Sequence, residues 1–166
     1  MKLALVQPSL RREWWLRRGD EVVATLWIPL FRRRAAAEVA GRRLTFEREG
    51  GLRSTYLVRD ELTGEQLARF RPEGRHRVLE LGDQRAQWKH LGLGKGYGFV
   101  GPDGKPLLRA KVSSGIARTT GEVEVADDVS EQDALVAAVL ASFLLIRKAE
   151  DTASAAASTT TVTTSP

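Results

Sequence analysis

Apolar and polar residues alternate in short segments over most of the chain. In "RRLTFERE", Leu44 and Phe46 fall on one side of an extended chain, and Thr45 falls on the other. "PLLRAKV" and "EVEV" repeat the alternation further along. A two-residue period is typical of strands with one buried and one solvent-facing side. The pattern therefore predicts a strand-rich region from Glu13 to about Asp128.

Turn signals separate these segments at close, regular intervals. Examples are Gly50-Gly51, Gly82-Asp83 and "GPDG" from Gly101 to Gly104. In the last of these, Pro presets one backbone dihedral and Gly permits another. Dividing the chain at such signals gives a meander of about a dozen strands, with the spacing expected of an antiparallel sandwich or barrel.

The pattern changes at "SEQDALVAAVLASFLLIRK". Ser130 is a good N-cap, and Glu131 places negative charge in the first turn of a helix. Arg147 and Lys148 place positive charge in its last turn. These features predict a helix over residues 131–148.

This helix is apolar on every side, so it must be enclosed. Its uninterrupted apolar stretch is shorter than the roughly 20 residues that cross a bilayer, so it is not predicted to span a membrane. The chain offers no other helix for a bundle. We therefore predict a mainly β fold, a closed antiparallel β-barrel of about twelve strands around a central hydrophobic C-terminal α-helix. Closure also removes exposed strand edges.

The domain prediction places the barrel and its central helix in residues 13–149. Residues 1–12 are expected to form an N-terminal arm, without an export signal, because Gln7 and Pro8 end its short apolar run. Residues 150–166 are rich in Ala, Ser and Thr and have no periodic apolar face. We expect them to form a disordered tail.

The chain is basic and contains no cysteine. Lys and Arg number 26 against 21 Asp and Glu, for a formal net charge of +5. This excess either favours phosphate-bearing partners such as anionic lipid or nucleic acid, or reflects the coding bias of a genome. The lack of cysteine excludes disulfides, thiolate metal sites and cysteine nucleophiles, and it fits a cytoplasmic protein.

No group of residues indicates catalysis. The only histidines, His76 and His90, lie in separate segments with basic neighbours, whereas a metal site needs clustered ligands. Ser113 and Ser114 lack the strand-to-helix elbow of a serine nucleophile. We therefore expect a protein that is not an enzyme and has no metal and no cofactor.

The glycine-rich stretch "HLGLGKGYGFVG" resembles a phosphate-binding loop only in composition. Such loops precede a helix whose N-terminus faces the phosphate, whereas a strand segment and the "GPDG" turn follow here. The stretch instead predicts a tight bend and close backbone contacts in a curved barrel.

Clustered arginines next to aromatic and aliphatic residues mark the candidate binding segment, "LWIPLFRRRAA". Basic residues near an anionic membrane contribute about 1 kcal/mol each, and apolar neighbours insert at the interface. The candidate anion-binding residues are Arg32, Arg33, Arg34 and Lys95, and the candidate membrane-interface residues are Trp27, Leu30 and Phe31. The alternative is that Trp27 and Phe31 belong to the core and the arginines form a solvated hairpin tip.

The phrases "GDEVVATLW", "GPDGKPLLRAKV" and "GEVEVADDVSEQDALVAAVLASFLLIRK", together with the strand meander, resemble the LURP-one-related family. That family is grouped with tubby C-terminal-like and phospholipid scramblase-like proteins. The resemblance implies a closed barrel around a central helix, and in tubby-like members a basic exterior binds phosphoinositide headgroups. Scramblase-like members carry cysteine-rich lipidation sites and a calcium-binding segment, which this chain lacks, so only the fold and lipid binding are carried over.

Three hypotheses about function follow. The first is a cytoplasmic, non-enzymatic module that recognises anionic phospholipid or phosphoinositide headgroups at the membrane surface. The second is a soluble scaffold that engages a protein partner and has no lipid ligand. The third and weakest is nucleic-acid binding, for which the sequence offers no recognisable motif.

Overall fold

Antiparallel strands surround a single C-terminal helix in the computed structural model, which describes residues 1–29, 34–51, 53–114 and 118–159. The strands are β1 (Lys2–Val6), β2 (Glu13–Arg18), β3 (Glu21–Trp27), β4 (Ala35–Val39), β5 (Arg42–Glu49), β6 (Thr55–Asp60), β7 (Gln66–Glu73), β8 (His76–Leu81), β9 (Gln84–His90), β10 (Tyr97–Val100), β11 (Pro106–Ser114) and β12 (Thr119–Val125). The helix, α1, spans Glu131–Thr159.

The sheet is a closed up-and-down barrel. Each strand pairs antiparallel with its neighbours in sequence, and β1 closes the ring between β2 and β12. Leu3 lies opposite Val123, and Leu5 lies opposite Leu16. The prediction of an N-terminal arm over residues 1–12 is therefore wrong for β1, because even a short alternation of buried leucines forms a strand when partners exist on both sides.

Helix α1 fills the barrel. From Ala134 to Phe143 every side chain is buried, and Phe143 packs against Phe46 and Tyr56 with ring centroids 5.2 and 5.3 Å apart. Leu44 and Phe46 face the helix, as their alternation predicted. The predicted fold, a closed barrel around a central apolar helix, is confirmed. Within the described residues, no helix combines the length and the apolar character that a bilayer crossing requires.

The helix is longer than predicted. It continues past Lys148 to Thr159, so residues 150–159 are helical rather than disordered, and residues 160–166 lie outside the described part. The prediction took the loss of an apolar face as the end of the helix. Alanine has the highest helix propensity, however, and an exposed alanine-rich segment can continue a helix whose earlier turns are already fixed by packing.

The glycine-rich stretch is a close-contact element, as predicted. At Gly96, where φ is +73°, a Cβ would lie 2.3 Å from the carbonyl oxygen of Ala110. At Gly98 a Cβ would lie 2.4 Å from the carbonyl oxygen of Leu108. No larger residue fits between β10 and β11 at these positions without displacing the backbone.

Candidate anion-binding end of the barrel

The two ends of the barrel carry opposite charge. Because all neighbouring strands are antiparallel, successive connections lie at alternate ends. One end carries the connections 7–12, 28–34, 50–54, 74–75, 91–96 and 115–118. The basic residues of these connections that the structure describes are Arg11, Arg12, Arg34, Arg53, Arg75, Lys95 and Arg118, and the sequences of the connections contain no Asp or Glu. We call this the basic end.

The opposite end, where α1 begins, is acidic. Its connections are 19–20, 40–41, 61–65, 82–83, 101–105 and 126–130. They carry Asp20, Glu61, Glu65, Asp83, Asp103, Asp127 and Asp128, against the single basic residue Lys105. The connections at the two ends therefore carry charges of opposite sign, although the net charge of the chain is modest.

Most cations on the rim of the basic end are uncompensated. Arg11, Arg53, Arg75, Lys95 and Arg118 are exposed, and none of them forms an ion pair among the described residues. Two rim arginines are paired: Arg12 with Glu150, 2.6 Å apart, and Arg34 with Glu47, 3.3 Å apart. The unpaired charges are available to an external anion.

Two large apolar side chains project from the same rim. Leu10 is 83% exposed and Leu93 is fully exposed. Leu10 is followed by Arg11, and Leu93 lies two residues before Lys95. Exposed leucines beside lysine or arginine suit the boundary between lipid headgroups and acyl chains. Leu62 is equally exposed but lies among carboxylates at the acidic end.

The structure brings some of the predicted site residues to this end. Arg34 and Lys95 both lie there, but half-way round the barrel from each other, in the β3–β4 and β9–β10 connections. Trp27 is half-buried at the end of β3, on the outward side, and is not part of the core cluster. The predicted residues Leu30, Phe31, Arg32 and Arg33 lie outside the described residues.

Two further arginines, which the sequence reasoning did not select, face the lumen at the basic end. Arg48 lies opposite Tyr56 across the β5–β6 ladder, and Tyr56 packs on Phe143 of the helix. Arg77 lies over the rings of Phe70 and Tyr56, with its guanidinium carbon 4.7 and 5.9 Å from the ring centroids. We call this region the mouth of the lumen.

Ser54 connects the two arginines of the mouth. Arg48 Nε donates a hydrogen bond to Ser54 Oγ (2.6 Å), and Ser54 Oγ donates to the carbonyl of Gly51 (2.8 Å). Arg77 Nη2 donates to the carbonyl oxygen of Ser54. Neither arginine forms an ion pair with a carboxylate of the described residues. The two guanidinium groups are therefore hydrogen-bonded to the same neutral residue, Ser54.

Arg77 is held in an unfavourable electrostatic setting. Burial is the main cause that lowers the pKa of Arg77. Tyr56 raises this pKa by less than burial lowers it, and the positive charge of Arg48 adds a smaller lowering effect. The Nε of Arg77 is buried and has no hydrogen-bond partner. An arginine stays protonated even so, so the mouth carries net positive charge that no described carboxylate neutralises.

The helix leaves the barrel beside an aromatic cluster. Lys148 donates a hydrogen bond to the Tyr97 hydroxyl and lies 4.0 Å from the centroid of the Tyr97 ring. Tyr97 stacks on Trp88 and meets the edge of His90. His76 and His90 are exposed and lie on the neighbouring strands β8 and β9, and the described residues contain no group of three or more His, Asp or Glu side chains that could hold a metal ion.

No family model, no curated protein and no solved structure matches the chain.

Proposed function

We propose that this protein is a non-enzymatic module that docks on anionic membrane surfaces, with the basic end of the barrel facing the lipid headgroups. The observation that carries the proposal is the segregation of charge: every connection at one end is free of carboxylates in sequence, and most of its described cations have no internal partner. A solvated surface with no ligand does not require such sorting, because dispersed charges suffice for solubility.

Physical chemistry supports this orientation. An anionic surface attracts a basic segment by about 1 kcal/mol per residue within a Debye length. The acidic end is repelled by the same surface, so the barrel axis turns towards the membrane normal. Leu10 and Leu93 then reach the interface, where their burial adds to the electrostatic term.

Vesicle co-sedimentation tests the proposal. The purified protein is mixed with neutral phosphatidylcholine vesicles or with vesicles that also contain phosphatidylserine, at low and at physiological salt. We expect binding only to the anionic vesicles, and weaker binding as salt rises.

Matched variants locate the surface. The rim variant carries Arg53→Gln, Arg75→Gln, Lys95→Gln and Arg118→Gln, and the wall variant carries the strand substitutions Lys2→Gln, Arg69→Gln, Arg109→Gln and Lys111→Gln. Both lose the same charge from exposed positions. We expect the rim variant to bind at least about tenfold more weakly and the wall variant to change by less than about threefold.

The outcomes separate the alternatives. Equal losses in the two variants would mean that attraction follows net charge alone, and the proposed orientation would be wrong. An Arg32→Ala, Arg33→Ala, Arg34→Ala variant tests the arginine run that the sequence analysis selected. If the protein ignores anionic vesicles at low salt, membrane docking is excluded and a protein partner becomes the better hypothesis.

A further inference from the structure

We propose that Arg48 and Arg77, at the mouth of the lumen, form a binding site for a phosphate monoester group. The proposal rests on the proposed function for its location, the end of the barrel that faces an anionic surface. It goes further by assigning a defined ligand chemistry to two residues that are not part of the exposed rim.

The first argument is that the strands of the barrel position both arginines of the mouth. Arg48 lies on the inward side of β5, two residues after buried Phe46, and Arg77 lies on the inward side of β8, two residues before buried Leu79. Strand registry thus aims both guanidinium groups at the lumen. Solvated arginines need no such placement, since the outward side of each strand was available.

The second argument is unbalanced charge. Several arginines on the wall of the barrel are neutralised, for example Arg42 by Asp60 and Arg71 by Glu80. Arg48 and Arg77 have no such carboxylate among the described residues, and the charge of Arg48 contributes to lowering the pKa of Arg77. A bound anion removes this repulsion, so the arrangement gains free energy from a ligand that the folded chain does not itself supply.

The third argument concerns hydrogen-bonding capacity. A guanidinium has five N–H donors in a planar fork that matches phosphate oxygens. Arg48 uses two nitrogens on Ser54 and Gly51, and Arg77 uses Nη2 on Ser54, while its buried Nε has no partner. Ser54 therefore fixes both groups in place and leaves further donors for a ligand.

Charge number selects the ligand class. A phosphate monoester carries close to two negative charges above its second pKa, about 6, and so compensates both arginines. A carboxylate or a phosphodiester carries one negative charge and leaves one arginine uncompensated. The rings of Tyr56 and Phe70 lie against the Arg77 guanidinium and bound the mouth on one side.

Two sources share this chemistry, a lipid headgroup with a terminal phosphate and a free phosphate ester. The soluble arm of the test titrates the full chain with inorganic phosphate, or with acetate as the monoanion control, and follows the arginine Nε–H resonances by NMR. We expect saturable shifts of Arg48 and Arg77 with phosphate and none with acetate. Binding should strengthen as pH rises from 5.5 to 7.5, because phosphate gains its second charge there.

Variants identify the residues. We expect Arg48→Gln to weaken phosphate binding at least about tenfold and Arg53→Gln, a rim arginine in the adjacent connection, to change it by less than about twofold. Arg77→Gln should also abolish binding. Arg77 packs on two rings, so its substitution can unfold the chain. If Arg77→Gln does not fold, the phosphate binding of Arg48→Gln decides the outcome, because Arg48 is exposed.

The membrane arm compares vesicles of matched surface charge that contain phosphatidic acid or phosphatidylserine. If the source is a lipid, the protein prefers phosphatidic acid, and Arg48→Gln loses the preference while keeping its phosphatidylserine binding. Saturable phosphate binding without that preference supports the site with a soluble ester as its source. If wild-type protein neither binds phosphate nor prefers phosphatidic acid, the site is overturned, even if phosphatidylserine binding and hence the proposed function survive.

Discussion

At the scale of single residues, the acidic end is organised by one buried carboxylate. Asp60 accepts hydrogen bonds from the backbone N–H groups of Leu62 and Thr63, both at 2.9 Å, and from Nε of Arg42 at 2.8 Å. The Thr63 N–H and the Arg42 side chain are the main reasons that the pKa of Asp60 is lowered to about 2. Asp60 therefore fixes the β6–β7 connection only while it is ionised.

This pKa predicts a pH dependence of stability. The folded-state pKa lies below the ordinary value, so the stabilisation is fully present above about pH 4 and is lost as pH falls from 4 towards 2. We expect Asp60→Asn to lower the free energy of unfolding at pH 7, and the difference from wild type to shrink between pH 4 and pH 2. Urea unfolding at a series of pH values measures it.

The matched control is Glu61→Gln, which removes an exposed carboxylate paired with Arg43 in the same connection. It should change stability by less than about 1 kcal/mol. If the free energy of unfolding of Asp60→Asn differs from that of wild type by the same amount down to pH 2, the ionised form of Asp60 does not account for the stabilisation.

The arginines of the mouth show which features of a site can be predicted from residue patterns and which cannot. The alternation that places Leu44 and Phe46 inside places Arg48 on the same side, and Arg77 likewise shares a side with Leu79. Their inward direction could therefore have been predicted from sequence. Their proximity could not, because it depends on the register of β5 to β8, which the turn sequences alone do not specify.

At the scale of elements, the sequence predicted the strands and helical turns whose residue pattern is set by burial. It did not predict the part of the helix that depends on helix propensity alone. The buried part of α1 was predicted from its apolar run, and the register of β11 and β12 follows the alternation that defined them. In the helix beyond Lys148, residues 151–155 are exposed and so give no buried face to detect. Only the intrinsic preference of alanine for helix distinguishes it from a disordered tail.

The β10–β11 pair provides a prediction about close backbone approach. Gly96→Ala places a methyl group against the carbonyl of Ala110 and forces an L residue to keep a positive φ. We expect a loss of about 2–4 kcal/mol, the sum of about 1–2 kcal/mol of backbone strain and a steric term of similar size. Thermal and urea unfolding measure the loss.

Gly94→Ala is the control for the backbone term. Gly94 also has a positive φ, +74°, but no atom lies within 4 Å of the position of an added Cβ. Gly94→Ala should lower the free energy of unfolding only by the backbone strain, about 1–2 kcal/mol. Equal effects at the two positions would mean that β10 can shift away from β11 and that the close contact is not required.

At the scale of the whole molecule, charge follows topology more closely than local sequence suggests. The arginine run at 32–34 is conspicuous, whereas single basic residues such as Arg53, Arg75 and Arg118 are not. Once the strands are known to form a meander, alternate connections can be assigned to opposite ends, and the acidic and basic sets separate. The signal was present in the sequence but needed the strand order to become visible.

The barrel and its helix should form one cooperative unit. The side chains of α1 that fill the lumen include Leu135, Val136, Val139, Leu140, Phe143, Leu145 and Ile146. Each such buried side chain contributes about 1.5–3 kcal/mol, so together they contribute about 10–20 kcal/mol, at least as much as the roughly 5–15 kcal/mol by which most domains are stable. A chain that ends after Ser130 is therefore expected to lose its cooperative urea transition and its near-ultraviolet circular dichroism.

A chain that ends after Asp151 distinguishes the stabilising contribution of the buried turns of α1 from that of the residues that follow them. It keeps the buried turns and the ion pair between Arg12 and Glu150 but loses the exposed part of α1. We expect its free energy of unfolding to lie within about 1 kcal/mol of the full chain, because surface segments contribute little. If the chain ending after Ser130 still unfolds cooperatively, the strands close without their core. The helix would then be a plug that can leave the lumen rather than the element on which the barrel folds.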